Sequence, residues 1–251
     1  MSADTLIVQL SDSHLRTDEP QRATQFAAAI KAVTELEPRP VAVLLTGDIA
    51  DNGVRESYEV AADLLAAIDV PVHVLPGNHD DRATLREVLG APGEGDEEIR
   101  YAVQAGPIRV IVCDTLIPNH IEGQLDVAWV AARLAEAPTT PTLIAMHHPP
   151  VRIGFDKMDG YGLPGTTRGA LEDLLGEHPQ VLKIVTGHVH RAASAQIGRV
   201  PVVTAPSVNF QLRLDLAGDA LDVAPEQPPG FVIHALVDGQ LVSHVQPVPR
   251  V

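Results

Sequence analysis

Apolar runs alternate along this chain with longer segments whose apolar positions recur at helical spacing. "TLIVQL" (5–10), "VAVLLTGD" (41–48) and "VPVHVLPGN" (70–78) read as strands buried on both faces. Between and after them, 21–36 (behind Pro20), 54–68 and a short stretch near "RATLREVL" carry the 3.6-residue period of amphipathic helices. The second half repeats the style. "YAVQAGPIRVIVCDT" predicts a strand pair and "GQLDVAWVAARLAEA" a helix. "PTLIAMHHPP" predicts a strand, "TRGALEDLLGEH" a helix and "VLKIVTGHVH" a further strand. Beyond that, "AQIGRVPVVTA" and "FVIHALVDGQLVSHVQPV" predict antiparallel hairpins, the latter turning at Asp238-Gly239. Residues 216–230 read as a loop. Strand–helix alternation calls for parallel units with both sheet faces covered. The expectation is one α/β domain over 1–251, an αββα sandwich of two packed sheets with C-terminal antiparallel hairpins.

Composition narrows what such a domain does. No apolar run approaches the roughly 20 residues of a membrane span, and the opening residues lack the basic and apolar regions of a signal peptide. Cys113 is the single cysteine, so no intrachain disulfide forms, a reducing cytoplasm is the expected location, and the thiol reads as a buried strand residue. The formal net charge of −15 argues against an exposed nucleic-acid surface. It leaves room for a small anionic substrate, since bound cations reverse the local field. Eleven histidines against 3% aromatics is the unusual figure, and it points to metal.

Five apolar strands end in polar tips: "LSDSH" (Asp12, His14), "LTGDIAD" (Asp48, Asp51), "LPGNHDD" (Asn78, His79, Asp80), "AMHHPP" (His147, His148) and "VTGHVH" (His188, His190). Loops after the carboxyl ends of strands gather at one sheet edge, where ligands bind. Asp12 and His14, like His188 and His190, stand two apart, so an extended backbone would point each pair the same way. Glycines before Asp48, Asn78 and His188 allow a sharp turn. Each tip alone also fits a helix cap or a surface histidine; all five together fit a shared site. Histidine with carboxylate suits Zn²⁺, Mn²⁺ or iron, whereas Mg²⁺ and Ca²⁺ favour oxygen cages.

"DSH", "GDIAD", "GNHD", "HHPP" and "GHVH", in this order, resemble the signature of calcineurin-like metallophosphoesterases. "GNHDDR", "VCDT", "HHPPV" and "VPVVTAPS" are similar to segments of bacterial class III cyclic nucleotide phosphodiesterases and their glycerophosphodiesterase relatives. The resemblance implies a four-layer fold in which the C-terminal hairpins belong to the second sheet. It also implies two transition-metal ions (Mn, Fe or Zn). Asp12, His14, Asp48 and His190 would hold one ion, and Asp48, Asn78, His147 and His188 the other. His148 would be a neighbour rather than a ligand. Asp51 and Asp80 would accept hydrogen bonds around the site, with Asp80 a candidate helix cap. Two such ions share a carboxylate about 3.5–4 Å apart and activate water for attack on phosphorus. His79, beside Asn78 but not ligating, would stabilise the transition state or protonate the leaving group.

His120, in the loop "IPNHIEG", is a candidate on the border of the substrate pocket, and the glycine-rich 155–168 a candidate wall or lid. His73, His178, His234 and His244 read as packed or surface residues. The expected function is hydrolysis of a small phosphodiester, 3′,5′-cyclic nucleotides first and glycerophosphodiesters as the alternative, with broad phosphodiesterase or monoesterase activity behind them. A non-hydrolytic scaffold and a nuclease are the competing classes; the filled ligand positions weigh against the first, the acidic balance against the second. A homo-oligomer stays open.

Overall fold

The computed structural model describes residues 5–218 and 220–251. Its first sheet is ordered β11-β10-β1-β2-β3, from β1 (Thr5–Leu10), β2 (Ala42–Thr46), β3 (Val72–Leu75), β10 (Gly230–Val237) and β11 (Gln240–Pro247). The second is ordered β4-β5-β6-β7-β9-β8, from β4 (Tyr101–Ala105), β5 (Ile108–Val112), β6 (Thr142–Ala145), β7 (Val181–Thr186), β8 (Ala193–Ile197) and β9 (Val200–Thr204). Strands β1, β2 and β3 run parallel, as do β5, β6, β7 and β9.

The continuous apolar runs follow from burial on both faces. From β1 and β2, Val8, Leu10, Val43 and Leu45 pack outward on Phe26, Ile30 and Val33 of α1 (Pro20–Thr34) and Tyr58 and Ala61 of α2 (Arg55–Leu65). The alternate positions Ile7, Ala42 and Leu44 turn inward and meet Val110, Val112, Leu143 and Val185 of the second sheet. That sheet's outer face, with Ile111, Ile144 and Ile184, is covered by α4 (Val127–Ala135) and α6 (Gly165–Glu177) through Val130, Leu134, Leu171 and Leu175. Three apolar layers between four structural ones bear out the αββα expectation. Cys113 is buried directly after β5. Among the described residues no helix is long and apolar enough to cross a membrane.

One placement differs from expectation. The hairpin β8–β9 joins the second sheet, but β10–β11 returns to the first, where β10 pairs antiparallel with β1 (Thr5↔Leu236, Gln9↔Val232). Alternation along a strand says which face is apolar but not which neighbour receives it. The β10–β11 turn falls where expected: Asp238 and Gly239 have φ of 49° and 78°, the left-handed pair of a type I′ turn.

Candidate active site

All five polar tips lie just past the carboxyl ends of parallel strands. Asp12 and His14 follow β1, Asp48 follows β2 and Asn78 follows β3; His147 follows β6, and His188 and His190 follow β7. The site therefore straddles both sheets. Its backbone is not extended: Asp12, His14, Asp48, His188 and His190 have φ of 57°, 43°, 51°, 70° and 49°. Left-handed backbone in a residue other than glycine costs on the order of 1–3 kcal/mol and clusters at functional sites. It still serves the β1–β2 seam, because His14 N donates to Asp48 O at 2.9 Å and Leu15 N to Ile49 O at 2.8 Å. The paired spacings of 12/14 and 188/190 thus converge through left-handed turns, not through strand periodicity.

The glycines before the tips do more than turn. Only Gly47 among the three has positive φ, at 86°. A Cβ on Gly77 would overlap Asp48 Oδ1 and stand 2.5 Å from Asp48 N. One on Gly187 would overlap Ser11 Oγ and stand 2.9 Å from Thr46 O. Close approach, more than turning, demands glycine there. Gly77→Ala is accordingly expected to destabilise the protein by about 1–3 kcal/mol, read as a lower urea midpoint, with metal retention reduced because the clash falls on Asp48.

Asp12, His14, Asp48, His147, His188 and His190 are all buried. Asp12, His14, Asp48 and His190 form one donor cluster: His190 Nε2 is 3.5 Å from Asp12 Oδ1, and His14 Nε2 is 3.5 Å from Asp48 Oδ2. In the other half, Asn78 Oδ1 lies 3.3 Å from His147 Nε2 and 3.0 Å from His188 Nδ1. Asp48 Oδ2 is also 3.3 Å from His147 Nε2, so one carboxylate oxygen touches both halves.

The surrounding hydrogen bonds set the tautomers. His14 Nδ1 donates to Asp51 Oδ1 at 2.7 Å, His147 Nδ1 to Thr46 O at 2.8 Å and His190 Nδ1 to Phe210 O at 3.0 Å. With each Nδ1 proton committed outward, the Nε2 atoms face the cluster, the arrangement that metal-ligating histidines adopt. His14 Nε2 and His190 Nε2 then stand 2.9 Å apart, close enough to share a proton or a bound cation. Among the described residues, the buried Asp12 Oδ2 and His188 Nε2 find no hydrogen-bond partner. These donors fit a metal centre.

The electrostatics favour positive charge beside Asp48, on His14 and His147. Burial, with the neighbouring Asp48 charge and against the pull of His147, raises the Asp12 carboxyl to about 6. Burial opposes charge on His147, but the Asp48 carboxylate beside it prevails and holds the imidazole up at about 9. Burial lowers His188 and His190 well below the usual imidazole range. Such a cluster gathers positive charge around Asp48.

His148 is buried but not available. Its Nδ1 accepts from Thr115 Oγ1 at 2.7 Å and its Nε2 donates to Ile121 O at 3.1 Å. Burial and the adjacent His147 lower it to about 3, so it stays neutral. Asp51 accepts from His14 as expected and also pairs with Arg16 and Arg22. Asp80 is not a helix cap: it accepts from Ile49 N, Ala50 N, Gly77 N and Tyr58 OH, tying the β2 tip to the β3 tip. The cap of α3 (Arg82–Leu89) is Asp81, which accepts from Thr84 N.

A cleft of about 180 Å³ opens over the cluster. His79 lines it, its Nδ1 donating to Asp51 O at 2.9 Å and its backbone N–H to Asp48 Oδ1 at 2.9 Å. The walls are apolar: Ile121, Met158, Phe210, Leu212 and Leu221. His120 is not among them. Its side chain is 61% exposed and lies 3.7 Å from Glu122, while the next residue, Ile121, faces the cleft. The 155–168 segment contributes Met158 from the one-turn helix α5 (Asp156–Asp159). Phe210, whose ring sits 4.6 Å from that of His190, and Leu212 come from an irregular loop where no period marks them.

Comparison with known proteins decides the family. The sequence model described as calcineurin-like phosphoesterase matches residues 5–192. The chain belongs to the calcineurin-like phosphoesterases. This phosphoesterase is 33% identical to a probable glycerophosphodiester phosphodiesterase of Arcobacter nitrofigilis, over 95% of this chain and 92% of that one. It is 32% identical to a 3′,5′-cyclic adenosine monophosphate phosphodiesterase of Pseudomonas aeruginosa, over 83% of this chain and 78% of that one. In fold it matches purple acid phosphatase from yellow lupin with a TM-score of 0.66 at 14% identity, covering 97% of this chain and 51% of the other.

Proposed function

We propose that this phosphoesterase is a dinuclear metal-dependent phosphodiesterase whose favoured substrates are 3′,5′-cyclic nucleotides. The observation that carries the reading is the position of Asp48 Oδ2, 3.5 Å from His14 Nε2 and 3.3 Å from His147 Nε2, joining two donor sets. Asp12, His14 and His190 would complete one site with Asp48, and Asn78, His147 and His188 the other. Bound transition-metal ions (Mn, Fe or Zn) would supply Lewis acidity to the phosphoryl oxygens and lower the pKa of water. The chain supplies the rest. Asp51, Thr46 O and Phe210 O hold three imidazoles in the ligating tautomer. His79, held by Asp51 O, faces the cleft to protonate the departing alkoxide.

The apolar walls support a nucleoside ester, since Ile121, Met158, Phe210, Leu212 and Leu221 match a flat base better than a glycerol. A glycerophosphodiester is the second reading, favoured by the 33% identity to the Arcobacter protein. A single domain and a cytoplasmic location fit this reading.

Kinetics with Mn²⁺, Zn²⁺ or iron on cyclic AMP, glycerophosphocholine, a nitrophenyl diester and a nitrophenyl monoester test it. The highest kcat/KM among the natural esters is expected for cyclic AMP. Preference for glycerophosphocholine would select the second reading, and no turnover of any ester would sink both.

A further inference from the structure

A chain of buried polar side chains crosses the apolar layer between the sheets and ends beneath the metal cluster. Gln9, His234 and Thr46 are fully buried there, beside Ile7, Leu44 and Val185. Gln9 Nε2 donates to Thr46 Oγ1 at 3.0 Å and to Thr186 O at 2.9 Å. Gln9 Oε1 lies 3.1 Å from His234 Nε2, His234 Nδ1 2.9 Å from Ser243 Oγ, and Lys183 Nζ donates to Ser243 Oγ at 2.5 Å.

One proton assignment satisfies every link. The Lys183 ammonium donates to Ser243, Ser243 to His234 Nδ1, His234 Nε2–H to the Gln9 oxygen, and the Gln9 amide to Thr46 and Thr186. Thr46 Oγ1 passes its own proton to Leu10 O at 3.2 Å. Burial lowers His234 to about 3, so the ring is neutral, as this assignment requires. A polar group placed in an apolar interior is tolerated when fully bonded, and it then selects one arrangement of its neighbours.

The two ends of the Gln9 amide lie where that selection matters. Thr46, on the first sheet, precedes Gly47 and Asp48; its carbonyl accepts from Ser11 Oγ at 3.1 Å and from the ring of His147. Thr186, on the second sheet, precedes Gly187 and His188, and its carbonyl also accepts from Ala205 N at 2.8 Å. Lys183 ties the sheets at the far end of this chain, through Leu241 O and Ser243 Oγ, but the apolar side chains nearer the site have no directional bond to fix how one sheet slides on the other. The amide does, two residues below the shared carboxylate on one side and a donor histidine on the other.

We propose that Gln9 is a positioning residue that sets the spacing between the first-sheet donors (Asp12, His14, Asp48 and Asn78) and the second-sheet donors (His147, His188 and His190) by stapling one sheet to the other. The inference rests on the dinuclear reading given above. Gln9 touches neither ion nor substrate. Its effect is on metal affinity, through the separation of Asp48 and Asn78 from His147 and His188.

Two variants separate positioning from stability. Gln9→Leu removes the staple but strands the His234 N–H; Gln9→Leu with His234→Phe removes both, leaving only the half-buried Ser243 hydroxyl without its acceptor. Mn²⁺ binding is followed by the electron spin resonance of free Mn²⁺, the Co²⁺ form by its visible spectrum, and melting in EDTA reports the fold. Both variants are expected to bind the weaker Mn²⁺ ion roughly 10–100-fold less tightly and to show an altered Co²⁺ spectrum, while the double variant melts near the parent. If the double variant binds Mn²⁺ as the parent does, Gln9 serves stability alone and the inference is overturned. If the parent itself takes up neither Mn²⁺ nor Co²⁺, the metal-centre reading falls instead.

Discussion

Asp48→Asn is expected to cut phosphodiester turnover by more than about a hundredfold, given that even residues one step removed from an ion cost roughly 10–100-fold. The substitution keeps the shape of the side chain and removes its charge. Burial disfavours that charge, yet the imidazoles of His147 and His14 hold the Asp48 carboxyl well below the usual range, so the group they surround is an anion. An amide there presents either its oxygen or its nitrogen to the cluster, and neither draws a cation as the carboxylate does. The Oδ1 contact to the His79 N–H survives only in the flip that places oxygen on that side. Metal content after dialysis and kcat should therefore fall together. Parent-like metal content in Asp48→Asn would show that the carboxylate is not shared.

His79→Ala makes the opposite separation: turnover falls and metal stays. A positioned acid or base contributes roughly 10²–10⁴-fold, and the proposed role of His79 would draw on a ring held by Asp51 O with its side chain 37% exposed. No donor within the two clusters of Asp48 depends on its ring. The loss should be large for cyclic AMP, whose alkoxide leaves poorly without a proton, and smaller for a nitrophenyl diester, whose phenolate leaves unaided. Equal losses on both esters would remove His79 from leaving-group protonation, and loss of metal would make it a ligand.

The donors at this site are legible in the sequence because each is a polar residue ending an apolar run, and five such endings share one chemistry. The backbone that presents them is not. A run of "DSH" or "GHVH" carries no mark of left-handed φ, and strand alternation predicts the right convergence for the wrong reason. The cleft walls are hidden for a different cause: Phe210, Leu212 and Leu221 sit in irregular chain, where apolar residues follow no period. His120 and Ile121 show how little separates the two outcomes, since one position along a loop exchanges solvent for the cleft. Gln9 does leave a signal. A glutamine inside "TLIVQL" interrupts a run buried on both faces, and a buried amide requires partners. Only the fold could say that those partners lie on different sheets.

The return of β10 to β1 has a consequence for how the enzyme comes into being. β1 carries Asp12 and His14 from its tip, yet it is an interior strand only because Gln9 finds Val232 across the ladder. During synthesis the first sheet waits, with one edge bare, until residues 230–237 emerge. Contacts this distant along the chain make folding slow and leave unpaired strand edges open to other chains. The apolar strand that carries the Asp12 and His14 donors thus keeps one edge unpaired until one of the last strands of the chain reaches it.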